Sequence, residues 1–182
     1  MYSVKLSFRF IVVLLFVCLI GRAEAGKRST ETLVLKNGLP VLLEYDPDVH
    51  RSAVALAVGT GILYDSPDKM GLAHYLEHML FLGSKRFPEV DSFKKFLHEN
   101  SGASNAYTAD AITNYFLQVS HEGFAEAMSR FSDFFAAPLF DKKYAERELN
   151  AVNSEHDKNK LNDGWRANYV EDLISEPGHP GR

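Results

Sequence analysis

Two histidines and a glutamate fall within five positions of the stretch GLAHYLEHMLFLG, residues 71–83: His74, Glu77 and His78. Imidazoles at i and i+4 of a helix lie one above the other and can reach one metal ion from adjacent turns. A carboxylate between them on the same face can reach water held at that ion and serve as a general base. The pattern His-x-x-Glu-His is the geometry of the His-Glu-x-x-His zinc helix run in the opposite chain direction. With His74 at zero on a helical wheel, Glu77, His78 and Phe81 fall at about 300°, 40° and 340°. Leu72, Tyr75, Leu76, Met79 and Leu80 lie opposite, between about 100° and 240°. The wheel therefore predicts an open face carrying the histidines and a core face carrying the large apolar residues.

Zinc in hydrolytic sites takes three protein ligands and keeps one position for water, and a carboxylate is a common third ligand. It must come from another element that faces the first helix. In KKYAERELNAVNSEHDKNKLND, Glu148 and Glu155 are seven residues apart. Two helical turns put them on one face, with a displacement of about 20°. Either could coordinate, with the other behind it orienting the ligands. His156 competes, but it points about 100° away from Glu155. Spacing alone leaves these alternatives open, and a helix so charged ordinarily reads as a solvated face.

The elements that must position these groups can be read from periodicity. ETLVLKNGLPVLLEY predicts two strands joined at Asn37-Gly38, a dipeptide suited to tight hairpin turns. RSAVALAVGTG predicts a third, of the right length to share one sheet with them. The period then becomes helical from Met70, and the helix stops at Gly83. A second helix is expected over EVDSFKKFLHEN, followed by strands at SNAYT and TNYFLQVS. The latter alternates Tyr115, Leu117 and Val119 against Asn114, Phe116 and Gln118. A third helix carries Phe124, Met128, Phe131 and Phe135 on one core face, with Pro138 beyond its end. A fourth starts at Asp141, a good N-cap, and runs to Gly164. SEPGHPGR then reads as loop, without a closing element.

Bulk properties exclude some functions. The 182 residues carry a formal net charge of −4 and show no basic stripe, which argues against a nucleic-acid partner. Residues 1–25 have the form of a signal peptide: Lys5 and Arg9, the uncharged run FIVVLLFVCLI, then Ala23-Glu24-Ala25. That 11-residue run is short of the roughly 20 needed to span a bilayer, so no stable membrane span is expected after cleavage. Cys18, the only cysteine, lies inside it, so a chain starting near Gly26 can form no disulfide framework. Residues 26–182 then read as one exported domain, periplasmic in a bacterium and otherwise secreted.

Taken together, GLAHYLEHMLFLGSKRFP, SGASNAYT, TNYFLQVSHE and PLFDKKYAERELNAVNSEHDKN resemble the inverted-zinc-motif peptidases, the family of pitrilysin, insulin-degrading enzyme and nardilysin. The blocks stand in the family's order and cover most of the chain after about Thr32. In that family the motif is followed after 76 intervening residues by a glutamate, and counting from His78 lands on Glu155. The resemblance thus selects His74, His78 and Glu155 as zinc ligands and Glu77 as general base. It makes Glu148 a supporting group rather than a ligand. The segment SNAYT corresponds to an edge strand on which substrate lies as an added strand. Asn105, Ala106 and Tyr107 are therefore expected substrate contacts, with Phe81 an apolar wall near the scissile bond.

What the resemblance implies is an α+β fold, an antiparallel-rich sheet with helices packed against it, forming an incomplete first domain of a multi-domain metallopeptidase. The implied activity is zinc-dependent endopeptidase hydrolysis of small or unfolded peptides. No residue here is a convincing oxyanion donor, and in the family that help comes partly from the C-terminal half of a longer chain, which is the expected partner. Weak or no turnover is expected of the 182 residues alone. The rival readings are an inactive structural subunit that keeps the fold and a zinc-binding module. The first usually loses motif residues, which here are intact, and the second needs four closed ligands where three are evident.

Overall fold

The structure, a computed structural model, describes residues 26–176 and 178. The signal-peptide segment 1–25 lies outside the described residues. The chain divides into two compact units with the boundary between Val49 and His50.

In the first unit, β1 (Ser29–Val34) and β2 (Pro40–Tyr45) form an antiparallel hairpin with Ser29 opposite Tyr45 and Val34 opposite Pro40. The Asn37-Gly38 turn is present in a looser form than a two-residue loop. Leu35 N–H donates to Leu39 O at 2.9 Å, and Asn37 Oδ1 accepts from Leu39 N–H at 3.2 Å. Only Gly38 takes a positive φ, 86°, which is where the absence of a Cβ is needed.

The second unit is built on β3 (Ser52–Val58), β4 (Ala103–Thr108) and β5 (Thr113–Val119), in the spatial order β3-β5-β4 and antiparallel throughout. The expectation that the first three strands share one sheet is thus corrected, because β3 pairs with β5 and β1–β2 form a separate ladder. Length suits a strand to any partner, whereas the partner chosen must bury the same face. β5 is central and alternates as its sequence requires. Thr113, Tyr115, Leu117 and Val119 are buried, while Phe116 and Gln118 face out.

Among the described residues five helices belong to this unit: α1 (Leu72–Leu80), α2 (Ser92–Glu99), α3 (Phe124–Ala136), α4 (Lys142–Asn159) and α5 (Asp163–Ile174). With the strands they make an α+β fold. The buried face of β5 meets Leu80 of α1, Phe93 and Leu97 of α2, and Ala127, Phe131 and Phe134 of α3. The expected stripe of α3 is therefore rotated. Phe134 and Ala127 sit deepest, whereas Phe124 and Phe135 are partly buried and pack at the edge.

Phe134 meets the rings of Phe93, Phe81 and Phe131 at centroid distances of 4.8, 5.6 and 6.2 Å. Phe134→Ala should lower the free energy of unfolding by about 3–5 kcal/mol, the range for aromatic truncation in a core. Chemical denaturation would read this, and a loss below about 1 kcal/mol, ordinary for an undistinguished site, would mean that the ring is not central.

The end of the chain departs from expectation. α4 stops at Asn159, and Gly164 lies in the first turn of a fifth helix instead of ending the fourth. Asn162 Oδ1 accepts from Gly164 N–H at 2.9 Å and Trp165 N–H at 3.3 Å, so the asparagine starts a new helix where the glycine had suggested a stop. Among the described residues no helix is long and apolar enough to cross a membrane.

Candidate active site

α1 carries three of the four chemically expected groups, and several links outside it set its position. The stretch before it forms a 3-10 turn, Ile62–Tyr64, bound to the β4–β5 link by Ile62 N–H to Ala109 O at 3.0 Å and Leu63 N–H to Asp110 O at 2.9 Å. Gly61 makes this approach possible, since a Cβ there would come within 2.0 Å of Ala109 O. Asp65 follows, and its carboxylate accepts from Gly71 N–H at 2.7 Å and Ala73 N–H at 2.9 Å. It thereby satisfies donors that every helix start leaves free and places negative charge at the positive end of the helix dipole. At its far end α1 tightens after Leu80, and Gly83 turns the chain at φ 121°, where a Cβ would come within 2.8 Å of Pro88 O.

α4 is held against α1 by Tyr75, whose hydroxyl donates to Ala145 O at 2.9 Å. Asp141 caps α4 as expected, accepting from Lys143 N–H at 2.9 Å. Two helical turns and three more residues beyond Ala145 bring Glu155 opposite the histidines. Glu155 Oε2 lies 3.5 Å from His74 Nε2 and 3.8 Å from His78 Nε2. The two imidazoles stand edge to face, with centroids 4.9 Å apart. His74, His78 and Glu155 each offer a ligand atom within 4.8 Å of the others, the one such grouping of His, Cys, Asp and Glu among the described residues. His156 is not part of it.

The donor set fits zinc. Donors in a tetrahedral shell with bond lengths of about 2.1 Å are about 3.4 Å apart, and the two Glu155 separations come close to that. Two neutral nitrogens and one carboxylate oxygen also suit a borderline-soft divalent ion. Glu155 is 51% exposed and both histidines are half-buried, which leaves a side of the group open to solvent.

Glu148, one face with Glu155, approaches the other nitrogen of His78: Oε2 to Nδ1 is 3.4 Å, long for a hydrogen bond. Its Oε1 is gripped by Arg147, from Nε at 3.0 Å and Nη2 at 2.9 Å. A carboxylate behind an imidazole in this way selects the tautomer and ring orientation that present Nε2 to a metal.

The helical wheel placed Glu77 on the open face, and here the structure differs. Glu77 is only 8% exposed, while Leu72 and Leu76 are 47% and 41% exposed. α1 buries Glu77, Met79 and Leu80, and Glu77 faces β4 while Leu72 and Leu76 are left outward. A buried carboxylate needs a partner. Thr108 at the end of β4 supplies it, its hydroxyl donating to Glu77 Oε2 at 2.6 Å. Tyr115, on the neighbouring strand, has its phenol pushed up to about 12 by burial and then by the negative charge of Glu77, so it stays neutral.

β4 is an edge strand among the described residues, since it pairs with β5 alone. Asn105 and Tyr107 are exposed on the sheet face away from Glu77, and Ala106 turns inward to the core. Phe81 is partly buried against Phe134 and Tyr115. Thr108, Asp65 and Tyr75 bond to groups of other elements through side-chain hydrogen bonds that sequence reading did not predict. Each acts on a partner in another element, so no local spacing marked them.

Two imidazoles one turn apart, a carboxylate from a second helix and a buried acid beside them define a candidate metal-hydrolase centre on an α+β scaffold. The family model described as Insulinase (Peptidase family M16) matches residues 40–178, and the chain belongs to that family. It is 46% identical over 161 residues to the insulin-degrading enzyme of Homo sapiens and 42% identical over 162 residues to protease 3 of Escherichia coli strain K12. These matches cover 88% and 89% of this chain but 16% and 17% of the relatives. The crystal structure of pitrilysin is similar with a TM-score of 0.82 at 42% identity, over 87% of this chain and 17% of that one. The chain thus spans about a sixth of the length of the curated relatives it matches.

Proposed function

We propose that this chain supplies the metal site and the general base of a zinc endopeptidase acting on small or unfolded peptides. The observation that carries the reading is the convergence of His74, His78 and Glu155 from two helices, with Glu77 one position from a ligand and buried beside it. His74, His78 and Glu155 would hold zinc, and Glu148 would orient His78. Zinc in such a shell supplies Lewis acidity and brings the pKa of water to about 7.

The remaining steps belong to the chain. Glu77 takes the proton from the attacking water, holds it, and returns it to the nitrogen of the leaving amine. An extended peptide adds along the free edge of β4, where main-chain hydrogen bonds tolerate many side chains. Asn105 and Tyr107 then flank the peptide on the outer face, and Ala106 contributes main chain. Phe81 would serve as an apolar wall only through the part of its ring that the core leaves uncovered. A donor for the oxyanion is required as well. It would come from sequence beyond these residues, so the 182-residue chain alone should bind zinc and turn over weakly.

Metal removal tests the reading. A chelator should stop cleavage of a quenched fluorogenic peptide by the full-length protein, and one equivalent of zinc should restore it. Cleavage that persists in metal-free protein would overturn the assignment.

A further inference from the structure

We propose that Thr108 is a positioning residue for the base, holding Glu77 in the one orientation from which its free oxygen faces the attacking water. The inference rests on the reading of Glu77 as the general base. Four observations carry it. The Thr108–Glu77 contact, 2.6 Å, has the length of a charge-assisted O–H···O⁻ bond. Threonine has a single hydroxyl proton, and Glu77 Oε2 receives it. Thr113, directly across the ladder, does not compete for that carboxylate: its hydroxyl donates to Thr60 O at 2.9 Å and lies 3.5 Å from Thr108 Oγ1. Among the described residues no group donates to Glu77 Oε1, so one oxygen is tied and the other is free.

The anchor is well placed for this work. Thr108 closes β4 next to Ala109, whose carbonyl binds the 3-10 turn ahead of α1. The same knot of chain that sets the start of α1 therefore carries the hydroxyl that orients Glu77. Because β4 is also the edge on which substrate would lie, the base would be registered to the strand that registers the peptide. An unanchored glutamate would spread over its rotamers, and small misplacements of a catalytic group cost rate without weakening binding.

The test uses the full-length protein, a quenched unstructured peptide and metal analysis. Thr108→Val removes the hydroxyl at nearly constant shape, and Thr108→Ser keeps it. Thr108→Val should lower kcat about 10- to 100-fold, the range for groups that orient a metal site, with KM and bound zinc unchanged. Thr108→Ser should keep most of the wild-type kcat. If the valine protein does not fold, Thr108→Ala against Thr108→Ser makes the same comparison of the hydroxyl. Equal kcat for the variants with and without the hydroxyl would overturn the inference while leaving Glu77 as base. A rise in KM at constant kcat would overturn it too, by showing that Thr108 serves substrate binding. A wild-type protein that binds zinc and cleaves no peptide would overturn the peptidase reading and this inference with it.

Discussion

Glu77→Gln should abolish peptide hydrolysis while zinc stays bound. Glutamine keeps the length of the side chain and an oxygen that can still accept from Thr108, so the buried site loses neither packing nor its hydrogen bond. What it loses is the ability to take and return a proton. General acid–base groups contribute about 10²–10⁴-fold, so residual activity should be at or below about 1% of wild type. Turnover of the quenched peptide and zinc by metal analysis should be measured on the same preparation. Unchanged hydrolysis would remove Glu77 from the mechanism, and loss of zinc would make it part of the metal site.

The second large effect separates the two glutamates of α4. Glu155→Gln should release zinc, because it removes the only anionic donor of a three-residue set. Glu148→Gln should weaken binding by about 10- to 100-fold, since its carboxylate acts through His78 and not on the ion. Arg147 also loses its partner in that variant, a contact of 2.9 Å on an exposed arginine that is worth little to stability. Competitive zinc titration of both variants gives the order. A Glu148 variant that loses more zinc than the Glu155 variant would exchange their roles.

The residues that converge at the candidate metal site stand out in the sequence because their spacing is helical. His74 and His78 are one turn apart, and Glu148 and Glu155 two turns apart. Periodicity could not choose between the glutamates, and the likeness to a known family made that choice. β5 was legible too, because Tyr115, Leu117 and Val119 alternate cleanly against a solvated face. Helix orientation was less so. Leu72 and Leu76 weigh heavily on a wheel, yet α1 buries Glu77, because a hydrogen bond from β4 makes a carboxylate tolerable where composition alone would refuse it. The same limit hid Asp65 and Tyr75, whose partners lie six and seventy residues away. α5 escaped notice because Gly164 looks like the end of a helix, and only the hydrogen bonds of Asn162 show that it lies near the start of one.

The leucines left outward on α1 and the shallow sheet edge at β4 sit beside the site, and the chain corresponds to about a sixth of its curated relatives. On the proposed reading these residues would hold metal and proton, and sequence beyond them would complete the enclosure.

The central claim is that two imidazoles of α1 and one carboxylate of α4 share a single zinc ion. X-ray absorption at the zinc edge of the loaded wild-type protein tests it most directly. The account predicts a shell of about four light donors that includes two imidazoles at about 2.0–2.1 Å. A shell with one imidazole or none, or the six-oxygen shell of a hydrated ion, would contradict it.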